Sequence, residues 1–109
     1  MRIIAGRFKG QRIITKKNLP YRPTKTLVRK SIFDILTPFN FNLVLDLFSG
    51  SGILGFEAAS RGADNVVFVE KDTKSLNLIK ENSLNKSKGV NYFFHKNDVF
   101  NSFCLSSST

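Results

Sequence analysis

The chain has 109 residues, 41% of them apolar, with seven glycines, three prolines and a formal net charge of +9. That length suits one modest domain and is too short for two, and the apolar share argues against a wholly disordered chain. There is no run of about 18 apolar residues to span a bilayer, and the basic start lacks the apolar stretch of a signal peptide, so a cytoplasmic chain is expected. Cys104 is the only cysteine and His95 the only histidine, which excludes an internal disulfide and supplies no metal-ligand set.

The charge is unevenly placed. Residues 1–37 hold ten Lys/Arg against the single acid Asp34, whereas residues 38–109 hold seven of each sign. All of the excess therefore lies in one third of the chain, the footprint expected for a polyanion, nucleic acid above all. A solvated basic face that only aids solubility is the alternative.

In chain order, residues 2–15 (RIIAGRFKGQRIIT) place two Ile-Ile runs either side of Gly6 and Gly10, which suits a basic β-hairpin facing RNA. Residues 16–22 read as a linker. The segment TKTLVRKSIFDILTP then sets Val28, Ile32, Ile35 and Leu36 on one helical face, with Lys25, Arg29 and Lys30 largely off it, and Pro38 ends the helix. From Leu43 the pattern becomes an apolar strand (LVLDLF), a glycine turn (SGSGILG) and a small-residue helix closed by Gly62. A second strand (NVVFV, ending at Glu70), a helix from about Asp72 to Lys86 and a third strand at Val90 to Phe94 follow. Such alternation implies a parallel, doubly wound α/β sheet. The tail, residues 101–109, dissolves into serines and is expected to be disordered.

The run Asp46-Leu-Phe-Ser-Gly50-Ser-Gly52 falls where a strand hands over to a helix, and in an open parallel sheet ligands bind beyond the carboxyl ends of the strands. With Gly55 it also spells the dinucleotide fingerprint, and Glu70 lies where an NAD ribose acid would. Asp46 discriminates between the two cofactors. A carboxylate beside the glycine turn repels a diphosphate, whereas S-adenosylmethionine (SAM) carries no phosphate and offers an ammonium and a sulfonium to an acid. SAM is thus favoured, with a dinucleotide as competitor. Glu70 suits the two ribose hydroxyls, and Asp98, after the third strand, suits the adenine amino group. Glu57 reads as surface charge, and Phe48 and Phe56 first as packing residues.

These residues resemble the RsmD-type 16S ribosomal RNA guanine-N2 methyltransferases: MRIIAGRFKGQRI, RPTKTLVRKSIFDIL, DLFSGSGILGFEAASRGA and VVFVEKD match that family's pattern in order and spacing over about residues 1–98. The resemblance implies a Rossmann-like, SAM-dependent methyltransferase sheet, incomplete with its first three strands, and an N-terminal basic β-hairpin and helix. The units implied are a basic RNA-contact part at 1–37, a SAM-binding half at 38–100 and an atypical tail at 101–109. The candidate cofactor set is Asp46, Phe48, Gly50, Ser51, Gly52, Glu70, Lys71 and Asp98; the candidate RNA set is Arg2, Arg7, Lys9, Arg12, Arg22 and Arg29. The implied partners are ribosomal RNA and the small ribosomal subunit, with no membrane and no metal.

One departure limits what is implied. Family members carry an Asp/Asn-Pro-Pro-Tyr/Phe segment after the fourth strand, which would hold the exocyclic amine and stack on the extruded base, and this chain has no Pro-Pro pair. No catalytic residue is therefore assigned, and a chain inactive alone is expected, with the first strand left as an open edge that seeks a C-terminal half. An RNA-binding module with a vestigial pocket and an NAD-linked oxidoreductase fragment are the rival readings.

Overall fold

Residues 1–15, 26–47 and 49–97 are described by a computed structural model, so the linker expected at 16–22 and the tail at 101–109 lie outside the described residues. The elements are α1 (Thr26–Ile35), β1 (Leu43–Asp46), α2 (Ile53–Ser60), β2 (Asn65–Glu70), α3 (Thr73–Ser83) and β3 (Asn91–Lys96). The three strands are parallel in the order β1-β2-β3, with Asp46 opposite Phe68 and Glu70 opposite Lys96. Parallel pairing of sequence neighbours requires a crossover, and α2 and α3 supply one each.

Both helices cover the same sheet face. Phe56 of α2 meets Phe68 and Tyr92 at ring-centroid distances of 5.0 and 5.5 Å, and Phe68 stacks on Phe94 at 5.9 Å. Lys80 of α3 reaches over the Phe94 ring. By register, Leu43, Leu45, Val67 and Phe93 point to the opposite face. There Leu43 is 63% exposed, Leu45 55% and Phe93 52%. An all-parallel sheet is normally buried on both faces, so this half-covered sheet leaves apolar side chains in water.

The N-terminal arm departs from the expected appendage. Residues 1–13 do turn back on themselves, with one antiparallel bridge between Arg2 and Arg12 and backbone bonds from Ile3 N–H to Gln11 and from Ile13 N–H to Met1. Ile3, Phe8 and Ile13, however, are buried in the same core as Phe56 and Val66. The arm is pinned to the C-terminal end of α2 by Ser60, whose backbone oxygen accepts from Arg7 N–H and whose hydroxyl accepts from Phe8 N–H. Gly6 (φ +89°) makes this possible, because a Cβ there would collide with the Ser60 carbonyl. Farther along, the Asn82 side chain exchanges two hydrogen bonds with the Ile14 backbone.

Helix α1 also presents a face other than the expected one. Arg29 and Phe33 are buried, whereas Val28, Ile32, Ile35 and Leu36 are exposed. Arg29 is drawn inward by the acid Glu57, and Phe33 packs on Phe39 beneath the Arg61 guanidinium, which sits 4.7 Å from the ring centroid. An ion pair and a cation–π contact, rather than the apolar stripe, orient the helix. Ile32 and Leu36 of the displaced stripe line an apolar groove of about 570 Å³ with Phe41, Leu43 and Leu45.

Candidate cofactor site and basic arm

The glycine loop is tied down from both sides of the β1–β2 junction. Ser49 donates its N–H to Val69 O, and its hydroxyl bonds the carbonyl of Asp46. Gly52 N–H closes the turn on Ser49 O at 2.6 Å, with Gly52 at φ +80° as the residue that starts α2, a conformation L side chains rarely adopt. Ser51 places its hydroxyl 3.3 Å from the Ile53 N–H. Gly50 N–H donates to Glu70 Oε2 at 2.7 Å, and Glu70 Oε1 accepts from the N–H groups of Lys71 and Asp72 at 3.0 and 3.2 Å. Asp72 then caps α3 through Ser75. Asp46, Gly50, Ser51, Gly52, Glu70 and Lys71 therefore converge at the carboxyl ends of β1 and β2. Phe48 and Asp98 of the candidate cofactor set, and Arg22 of the RNA set, lie outside the described residues.

Burial pushes the Asp46 carboxyl up to about 6, opposed by hydrogen bonding with the Gly55 backbone in the first turn of α2 and reinforced by the nearby Glu70 carboxylate. Among the described residues, Asp46 Oδ2 is buried without a hydrogen-bond partner. A buried carboxylate oxygen lacking a donor is costly to keep, and a bound ammonium would satisfy it. An entering diphosphate would instead meet two carboxylates and find Gly50 N–H already bonded to one of them. These carboxylates are acceptors suited to an ammonium, such as the one at the amino-acid end of SAM, more than to a diphosphate. Among the described residues, no group of three or more His, Cys, Asp or Glu is placed to hold a metal ion, and no helix is long and apolar enough to cross a membrane.

The candidate RNA residues divide into two classes. Lys9 and Arg12 are exposed; Arg2 is exposed too, with one guanidinium nitrogen on Gly10 O. Arg7 is exposed as well, and its guanidinium also donates to the carbonyls of Ala59 and Ala63 at 2.9 and 2.8 Å, fastening the arm to the C-terminal end of α2. Arg29 is 0% exposed and faces Glu57, which removes it from the surface cations expected from sequence.

Glu57 corrects another expectation, since it is 0% exposed rather than a surface charge. The signal was present in the helix itself: ILGFEAAS is apolar or small all round, and a lone acid in such a helix is buried and paired.

A family model described as conserved hypothetical protein 95 matches residues 1–105. Ribosomal RNA small subunit methyltransferase D of Haemophilus influenzae is 41% identical over 83 residues, covering 75% of this chain and 43% of that protein. The protein of the same name from Escherichia coli is 39% identical over 82 residues, covering 73% and 41%. Among solved structures, a hypothetical protein of Thermus thermophilus superposes with a TM-score of 0.76 at 31% identity, over 99% of this chain and 61% of that one. The chain thus spans about half the length of the relatives it matches.

Proposed function

The chain belongs to the family described as conserved hypothetical protein 95, the RsmD family of RNA methyltransferases, and from that membership we propose that its residues hold SAM and ribosomal RNA for methylation of a guanine amino group in the small ribosomal subunit. The observation that carries the cofactor half of this reading is the buried, unpartnered Asp46 Oδ2 beside the glycine loop. When bound, SAM supplies a methyl group on a sulfonium. Asp46 takes the ammonium, the glycine loop leaves room for the methionine backbone, and Glu70 accepts from the ribose hydroxyls. Asp98 is assigned the adenine edge by its place after β3.

The RNA half rests on Lys9, Arg12 and Arg2 standing exposed on an arm that the core holds still. The roles assigned to this chain's residues are cofactor binding and RNA binding. Its place of action in this reading is the cytoplasm, beside the assembling small subunit.

Calorimetry with S-adenosylhomocysteine (SAH) and with NAD tests the cofactor. Binding of SAH in preference to NAD is expected, and the reverse preference overturns the assignment. RNA binding without any SAH affinity would leave the binding-module reading instead.

A further inference from the structure

We propose that Glu57 is a positioning residue: a buried carboxylate that locks the basic arm and α1 onto the helix that starts at the glycine loop. Oε1 accepts from Ile4 N–H at 2.9 Å and lies 3.3 Å from Arg29 Nε, while Oε2 accepts from Ala5 N–H at 3.2 Å and from Arg61 Nε at 2.9 Å. Three segments far apart in sequence meet at this one group. Successive backbone N–H groups aimed at a single anion form a concave anion site, and here the protein's own side chain fills it.

The choice of a charge is informative. Burying an acid between guanidiniums is expensive, and well-packed apolar residues would stabilise the same volume as well or better. An ionic hub does, however, impose one geometry, because both oxygens and their donors must align. α2 is capped by Gly52 and carries Glu57 about one and a half turns further on, so the lock and the glycine loop share one rigid element. The backbone carrying Lys9 and Arg12 thereby stands at a set place relative to the glycine loop, which leaves only side-chain ordering to be paid when RNA binds.

This inference rests on the reading of the arm as an RNA contact. Glu57→Gln keeps the side-chain shape but leaves Arg29 buried without a counter-charge, so residues 4–5 and α1 should lose their fixed place on α2 while the Ser60 and Asn82 anchors remain. Short RNA from the small subunit is the probe, alongside SAH. The expected result is a loss of RNA affinity of about tenfold with SAH affinity unchanged. A merely structural role would lower both in step, and RNA affinity equal to wild type would likewise overturn the proposal. Failure of the wild-type chain to bind RNA would instead sink the RNA reading itself. Should the variant not fold, amide hydrogen exchange on the wild type decides: protection of Ile4 and Ala5 matching that of α2 supports the lock, and exchange at free-peptide rates refutes it.

Discussion

The backbone N–H of Gly50 donates to Glu70 Oε2 across 2.7 Å, joining the turn after β1 to the end of β2. The same carboxylate that is assigned to the cofactor ribose therefore also shapes the glycine loop. Glu70→Ala should weaken SAH binding about tenfold or more, since hydrogen bonds to a charged group contribute roughly 1.5–3 kcal/mol. Calorimetry on the two proteins checks this. Equal affinities would take Glu70 out of the ribose role.

Asp46 sets a pH dependence with two opposite signs. Its folded-state carboxyl is raised from 3.8 to about 6, so the native state holds that proton more tightly than the unfolded chain. The cost of burying the ionised form enters above pH 3.8, is complete above about 6, and amounts to roughly 3 kcal/mol. Asp46→Asn should accordingly be more stable than wild type at pH 7 and closely similar at pH 4, as judged by urea unfolding. A variant less stable at pH 7 would show that the carboxylate's bond to the Gly55 backbone outweighs the cost of its burial.

Cofactor affinity runs the other way, because only the ionised Asp46 attracts an ammonium. SAH binding should weaken about tenfold from pH 7 to pH 5 in the wild type and stay flat in Asp46→Asn, which binds more weakly throughout. A profile of identical slope in the two proteins would assign the titration to another group.

RNA affinity should fall steeply with salt, since each neutralised phosphate releases counterion. Reversing Lys9 and Arg12 to Glu should remove most of the affinity and lower the log–log salt slope by about 1.5, the contribution of two contacts to single strands. Arg29→Ala is expected to act differently, costing about 3 kcal/mol of stability by leaving Glu57 short of a partner. Salt-insensitive RNA binding that survives the Lys9/Arg12 reversal would reduce the arm to a solubility device.

Leu45 and Phe93 expose their side chains on the uncovered sheet face, so polar replacements there should leave stability within about 0.5 kcal/mol of wild type. Concentration-dependent light scattering should drop for Leu45→Lys and Phe93→Lys if that face drives self-association. Unchanged scattering together with a large loss of stability would mean the face is covered in solution.

Much of the sheet and its ligand loop was legible along the chain, because local signals set them: the apolar runs of β1 and β2, the glycines at 50 and 52, and the Asp72 cap of α3. The placing of Asp46 and Glu70 at the carboxyl ends of adjacent strands was readable for the same reason, since both close apolar runs that the sequence itself marks. The single-turn details shifted by only a few residues, as in β3, which runs Asn91–Lys96 rather than Val90 to Phe94.

What tertiary structure alone decided is which charges face water. Arg29 and Lys30 are neighbours in sequence and in helix α1, yet Lys30 forms an exposed pair with Asp34 while Arg29 is sealed against Glu57. Nothing local distinguishes them, because a guanidinium leaves solvent only when an opposite charge from a distant part of the chain is brought to it. Periodicity likewise showed that α1 has an apolar stripe but not that Phe33 and Arg29 would be the side turned inward. Propensity and pattern act within a few residues and fix the elements; desolvation and charge pairing are summed over everything that surrounds a group, and they chose the faces.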